Sequence, residues 1–200
     1  MFRKTHLALI VALGAGVVSI GAAATAESFS GGSGHQAYTA IKNAEGATIG
    51  TLKIDQERYG KSRVTVAVRG LTPGYHGFHI HTTGICDPKS TDPATGSPFF
   101  SAGGHFNLGT GGHGEHTGDL PALLVGADGT GNASVVTDRF RIGQLLDKDG
   151  SAVIVHGLPD NLANIPTRYT DANGKAGPDE ATLKTGDAGG RIGCGVITGR

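Results

Sequence analysis

Read for its apolar and polar positions, the chain shows no long stretch with a 3.6-residue period. Short alternating runs recur instead. "AYTAIKN" and "ATIGTLKI" flank a turn at Glu45-Gly46, and "SRVTVAVRGL" follows one at Tyr59-Gly60. "YHGFHIH" and "DLPALLV" come next. "NASVVT" follows Asp128-Gly129, "SAVIVH" follows Asp149-Gly150, and "CGVIT" closes the series. Val64, Val66 and Val68 alternate with Arg63, Thr65 and Ala67, the period of a half-buried strand. Eight such runs separated by Asp-Gly or Gly-rich turns predict an all-β sandwich or barrel.

Two segments break the rhythm. Residues 82–118 and 157–192 are long, Gly-rich and weakly periodic. Structureless loops of that length are uncommon in compact domains and are usually functional or disordered. Each opens directly after a histidine that ends a strand, His81 and His156. Two long functional loops on a β scaffold are the expectation.

The N-terminus is a separate matter. "MFRKTH" is basic, "LALIVALGAGVVSIGAAA" is apolar, and Ala24-Thr-Ala26 is a small-x-small site. That layout predicts a secretory signal peptide over residues 1–26. The apolar stretch is also about long enough for a membrane anchor, but its Gly/Ala content and cleavage site favour removal. Residues 27–35, "ESFSGGSGH", read as a flexible lead-in in which His35 is solvated, and residues 36–200 as the domain. Of the 17 basic residues, Arg3 and Lys4 leave with the signal, so 15 face 17 acidic ones. This near-neutral balance argues against a nucleic-acid partner.

Two cysteines remain, Cys86 and Cys194. In an exported protein a single disulfide is the natural pairing, and two free thiols are the alternative. Closing so long a loop stabilises by ~4–5 kcal/mol on the chain-entropy account.

The candidate chemistry lies in "GYHGFHIHTTGIC". In an extended strand His79 and His81 project from one face while Phe78 and Ile80 point the other way. His105, His113, His116 and His156 fall at strand ends or in the first loop, with Asp119 close by in "HTGDL". Six histidines and a carboxylate in an exported β domain point to metal, against the alternative of scattered surface histidines. Imidazole suits copper and zinc, whereas calcium and magnesium prefer oxygen.

"GFHIHTTGIC", "GGHFN", "HTGDL", "VIVH" and "TGDAGGRIGCGVI" together resemble the signature segments of the copper/zinc superoxide dismutases, in particular the secreted bacterial branch. The resemblance covers residues 36–200 and implies an eight-stranded antiparallel Greek-key β-sandwich or barrel. It implies copper on His79, His81, His105 and His156, and zinc on His105, His113, His116 and Asp119, so that His105 bridges the two. It makes Asp160 a carboxylate linking a copper histidine to a zinc histidine. Arg191 becomes the anion-docking arginine, and Thr185 and Lys184 line its channel, with Asp179 and Glu180 at the rim. Cys86 and Cys194 match the family disulfide, and His76 matches a buried bracing histidine.

The implied activity is dismutation of superoxide to dioxygen and hydrogen peroxide by redox cycling of the copper, with zinc as structural partner. One departure concerns zinc. Only Gly114-Glu115 separates His113 from His116, where the family segment is longer, so the loop must turn tightly. A rival reading is an exported copper/zinc binding or buffering protein without turnover, which has no use for Arg191 or Thr185. A hydrolytic zinc enzyme would need a water-activating carboxylate beside an open zinc; Glu115 lies nearby, but the site is expected to be closed. Expected surroundings are the periplasm, cell envelope or extracellular space, with no stable membrane anchor. A homodimer is left open.

Overall fold

The computed structural model describes residues 36–200; the expected signal peptide (1–26) and lead-in (27–35) lie outside the described residues. Ten strands follow in order among them. They are β1 (Gln36–Lys42), β2 (Thr48–Gln56), β3 (Ser62–Val68), β4 (Gly74–His76), β5 (Phe78–His81), β6 (Leu123–Val125), β7 (Gly131–Thr137), β8 (Ala152–His156), β9 (Arg191–Val196) and β10 (Thr198–Gly199). Two single-turn helices, α1 (Ile142–Leu145) and α2 (Thr182–Thr185), interrupt the connections.

Every strand pairing is antiparallel. The main sheet runs β5-β8-β9-β1-β2-β3-β7, with β10 also on β1, and β4 pairs with β6 apart from it. The chain thus crosses from β3 at one side of the sheet to β5 at the other, then returns to place β7 beside β3. These are Greek-key crossings.

Each predicted run became a strand, but two of them divide. "YHGFHIH" is two strands in different sheets, broken at Gly77. A side chain at Gly77 would press on Ala188 and His156. Its amide donates to Leu158 O (2.9 Å) and its carbonyl accepts the His156 amide (2.8 Å), so the break ties β5 to β8 and to the second loop. "CGVIT" divides likewise into β9 and β10.

The alternation of Val64, Val66 and Val68 does bury one face, each residue being no more than 4% exposed. They join Ile41, Leu52, Ile54, Phe78, Ile80, Val153 and Val155 in one core. Each such side chain stabilises by about 1.5–3 kcal/mol when withdrawn from water. The other face of β8 is covered too. Ala152 and Ile154 pack with Phe99, Ala102 and the Cys86–Cys194 pair in a second cluster. That explains the unbroken apolar run "AVIV", since a strand covered on both faces needs no polar alternate.

The second cluster exists because the first loop folds back over the sheet. β5 is an edge strand, and its free hydrogen-bonding groups would otherwise be open. The loop satisfies them. Ile80 N donates to Gly118 O (2.9 Å), Phe106 N to Ile80 O (2.8 Å) and Thr82 N to Gly104 O (3.0 Å). The two long loops also meet directly, through His113 N to Leu183 O at 2.9 Å.

Candidate metal centre

Strand alternation and the loop's return bring the histidines together. His79 and His81 face outward from β5, opposite Ile154 and Ala152 of β8, while Phe78 and Ile80 enter the core. His156 ends β8, and its ring centroid lies 4.9 Å from that of His79 and 5.7 Å from that of His81. His105 arrives from the first loop as a bridge partner of His81. Its ring lies 4.1 Å from His79 and 4.9 Å from His81. One ring nitrogen from each of these four histidines lies within 4.8 Å of the others.

The hydrogen bonds decide which nitrogen is free. His81 Nδ1 donates to Gly103 O (2.9 Å) and His156 Nδ1 to Gly189 O (3.0 Å). His79 Nε2 donates to Asp160 Oδ2 (2.6 Å). A neutral imidazole carries one N–H, so His79 Nδ1, His81 Nε2 and His156 Nε2 keep bare lone pairs. Those three atoms are buried and have no hydrogen-bond partner. An unmade hydrogen bond of this kind costs about 1–3 kcal/mol. Three of them converging make a donor set suited to copper or zinc.

A second group shares two of these rings. His79, His105, His113 and Asp119 also offer ligating atoms within 4.8 Å of one another. His105 Nδ1 lies 2.8 Å from Asp119 Oδ1 and 3.2 Å from His113 Nδ1, which leaves Nε2 for the first group. His113 Nε2 donates to Asp160 Oδ1 (2.8 Å). Asp160 therefore links His79 and His113 with its two oxygens, and its side chain is 1% exposed. Gly186 makes room for this link. It sits at φ +59, and a side chain there would collide with both Asp160 Oδ1 and His113 Nε2.

His116 stands beside this group rather than within it. Its ring is 5.4 Å from His105 and 5.6 Å from His113, and its buried Nδ1 has no hydrogen-bond partner. That nitrogen faces Asp119 Oδ2 at 3.3 Å.

Burial governs the charges. It holds His156 down to about 3 and lowers His81 well below 6.5, with neighbouring histidines and Arg191 adding to both effects. Burial also holds His105 at about 4, although the hydrogen bond to Asp119 opposes it. Burial raises Asp119, but the hydrogen bond from His105 and the nearby rings outweigh it and leave the carboxyl at about 2. Asp160 is lowered for the same balance of reasons, with His113 and His79 as its partners. Burial lowers His113, yet Asp160 and Asp119 overcome that and raise it. His81, His105 and His156 are thus neutral and ready to bind metal at neutral pH.

Arg191 begins β9 and is half-buried beside the first group. Its guanidinium donates to Phe99 O and Gly103 O, both at 2.6 Å, and Gly103 O is also the carbonyl that accepts from His81. Its backbone amide donates to Ser97 Oγ (2.7 Å). Burial lowers the guanidinium pKa, with Asp92 opposing. Thr185 and Lys184 lie on α2, next to Leu183, whose carbonyl receives the His113 amide. Thr185 Oγ1 donates to Ala181 O (2.9 Å), and Lys184 pairs loosely with Glu180 (3.9 Å) in open solvent. Glu115 is exposed. His76, 1% exposed, reaches His156 O (2.7 Å) and Thr72 O (2.8 Å) and braces β4 against the end of β8.

Sequence reading missed Ser97, whose Oγ accepts the Arg191 amide, Phe99, whose carbonyl accepts from the Arg191 guanidinium, and Arg139, whose guanidinium donates to the carbonyls of Gly114, His116 and Asp119. Each contact has a backbone group on one side. Phe99, in the left-handed region at φ 62, turns its carbonyl to Arg191. No local motif marks a contact that runs to or from a distant backbone amide or carbonyl, because nearly every residue carries both.

The comparisons with known proteins agree with this geometry. The family model for "Copper/zinc superoxide dismutase (SODC)" matches residues 48–197. The chain is 45% identical over 165 residues to "Superoxide dismutase [Cu-Zn]" of Mycolicibacterium paratuberculosis, covering 80% of this chain and 72% of that protein. It is 44% identical over 171 residues to the protein of the same name from Mycobacterium tuberculosis, covering 82% and 71%. The solved "Cu/Zn superoxide dismutase from Brucella abortus" superposes with a TM-score of 0.60 at 29% identity, over 82% of this chain and 99% of that one. On sequence and on fold alike, the chain belongs to the copper/zinc superoxide dismutase family.

Proposed function

We propose that the protein dismutes superoxide, with copper held by His79, His81, His105 and His156 and zinc by His105, His113, His116 and Asp119. The observation that carries the copper assignment is the trio of buried, unpartnered ring nitrogens aimed into one space with His105 beside them. Copper held by these residues would supply one-electron redox chemistry toward superoxide. Two superoxide anions and two protons thereby become dioxygen and hydrogen peroxide.

The chain's own residues do the rest. Asp160 and the Gly103 and Gly189 carbonyls fix the tautomers, so that each copper-facing nitrogen is a lone pair. Arg191 is held rigid by two carbonyls and offers its remaining N–H groups and its charge to a small anion. His105 Nε2, whenever it is not engaged as a ligand, is the atom that would carry a proton for delivery to the reduced anion. Thr185 narrows the approach, and Lys184 adds positive charge at the rim.

Supporting an oxidising compartment, Cys86 and Cys194 are bonded and no free cysteine is present among the described residues. The reading includes export to the periplasm, cell envelope or extracellular space, without a membrane anchor. No described helix is long and apolar enough to cross a membrane. Cell fractionation tests that part, and sedimentation tests a homodimer. The central test is superoxide consumption by protein loaded with copper and zinc, beside metal counts per chain. Stoichiometric copper with no turnover supports a buffering protein instead.

A further inference from the structure

The turn that carries His113, His116 and Asp119 is short, and few bonds within it hold the ligands. Asp119 Oδ2 accepts the amides of Gly114 (2.8 Å) and His116 (3.0 Å), and the Asp119 amide donates to His116 O (3.1 Å). The carbonyls of Gly114, His116 and Asp119 are met from outside the turn by Arg139. Its Nη1 donates to His116 O (3.0 Å) and, more weakly, to Asp119 O (3.4 Å), and its Nη2 donates to Gly114 O (3.1 Å).

One guanidinium therefore grips the turn at three residues, two of which are expected zinc ligands. The planar fork suits this, since it presents several donors in a fixed geometry. Arg139 is itself anchored. Its amide donates to Thr137 Oγ1 (3.1 Å), and the next residue, Phe140, is 1% exposed in the core and accepts Ser62 Oγ through its carbonyl (2.9 Å). The arm is thus fastened to the scaffold at the end of β7, 20 residues or more along the chain from the turn it holds.

We infer that Arg139 is a positioning residue for zinc: it clamps the Gly114, His116 and Asp119 carbonyls and substitutes for the length the turn lacks. The inference rests on the zinc assignment above. Charge alone predicts the opposite effect, because a cation close to a dication repels it and its removal would tighten binding. A loss of zinc affinity on neutralising Arg139 therefore marks positioning rather than electrostatics.

The test measures zinc affinity by chelator competition, and cobalt(II) absorption as a probe of site geometry, on copper-loaded wild type, Arg139→Gln, Arg139→Lys and Arg141→Gln. Arg141 serves as the control because its guanidinium lies against Gly60 instead. The expected result is a zinc affinity about 10–100-fold weaker in Arg139→Gln, the usual effect of losing a group that orients metal ligands. The cobalt bands should also broaden or shift. Arg139→Lys should fall between, with fewer donors in a looser geometry, and Arg141→Gln should match wild type. Zinc affinity within twofold of wild type in Arg139→Gln, or an equal loss in Arg141→Gln, overturns the clamp. Wild type that fails to take up zinc overturns the zinc assignment itself. An unchanged thermal midpoint confirms that Arg139→Gln has kept its fold.

Discussion

The proposed copper half and the proposed zinc half of the site are built differently. On the copper side, three of four histidines stand on β5 and β8, strands locked by the sheet and packed over the core. Each of those three rings has its second nitrogen tied to a fixed acceptor. On the zinc side, all four expected ligands come from residues 105–119 of a single loop. Their order depends on the Asp119 carboxylate, the Asp160 link and the Arg139 fork. Sheet registers are cooperative and hard to displace locally, whereas a loop held by a few polar contacts opens at lower cost. On the proposed assignment, the contrast makes the copper site a property of the fold and the zinc site a property of particular side chains.

The largest expected effect breaks that contrast by pH. In metal-free protein, burial holds His105 at about 4 and His156 at about 3, against 6.5 for the free ring. Below pH 6.5 the unfolded chain binds more protons, so stability falls as pH drops from 6.5 toward those values. Between pH 7 and pH 4 the pair should contribute a loss on the order of 6 kcal/mol. His113 has the opposite sign, because its raised pKa stabilises the folded state at low pH and that contribution is lost as pH rises. Urea midpoints of metal-free protein between pH 7 and pH 4 should therefore decline, and a His113→Gln variant should decline more steeply. A flat profile refutes the burial account.

Asp160→Ala should come next. It removes one partner from each half at once. His79 keeps its place on β5, but His113 loses a principal support, so zinc affinity should fall by roughly 100-fold and copper affinity by roughly tenfold. Chelator competition for each metal checks this. Equal losses would show that the strand gives His79 no advantage.

Arg191→Ile touches the copper half without touching a ligand. Turnover should fall roughly tenfold, the equivalent of one hydrogen bond to a charged group at about 1.5 kcal/mol. Inhibition by small anions should weaken while copper stays bound. Unchanged kinetics would remove Arg191 from the site. The smallest effect belongs to Lys184→Glu, an exposed position with one loose partner. Turnover at low salt should drop about twofold and recover as salt screens the rim.

Much was legible in the chain itself, and the reason is that the signals were local. Alternation marked the strands, Asp-Gly and Gly-rich pairs marked turns, and six histidines with Asp119 pointed to metal, while the division into two ligand sets came from the family resemblance. A strand's period assigns faces without knowledge of its neighbours, so the pairing of His79 with His81 on one surface needed only the pleat. What the tertiary structure alone decided was every relation that runs through backbone groups of distant segments. It split the run around His76 and His79 at Gly77, whose amide and carbonyl are taken by Leu158 and His156. It also brought the Arg139 guanidinium onto the backbone carbonyls of the first loop's turn, and, among side chains, set His116 beside the tight group and named His79 and His113 as the two rings that Asp160 links. Carbonyls and amides are the same at every position, so a sequence cannot mark which of them will meet; only the folded path of the chain does.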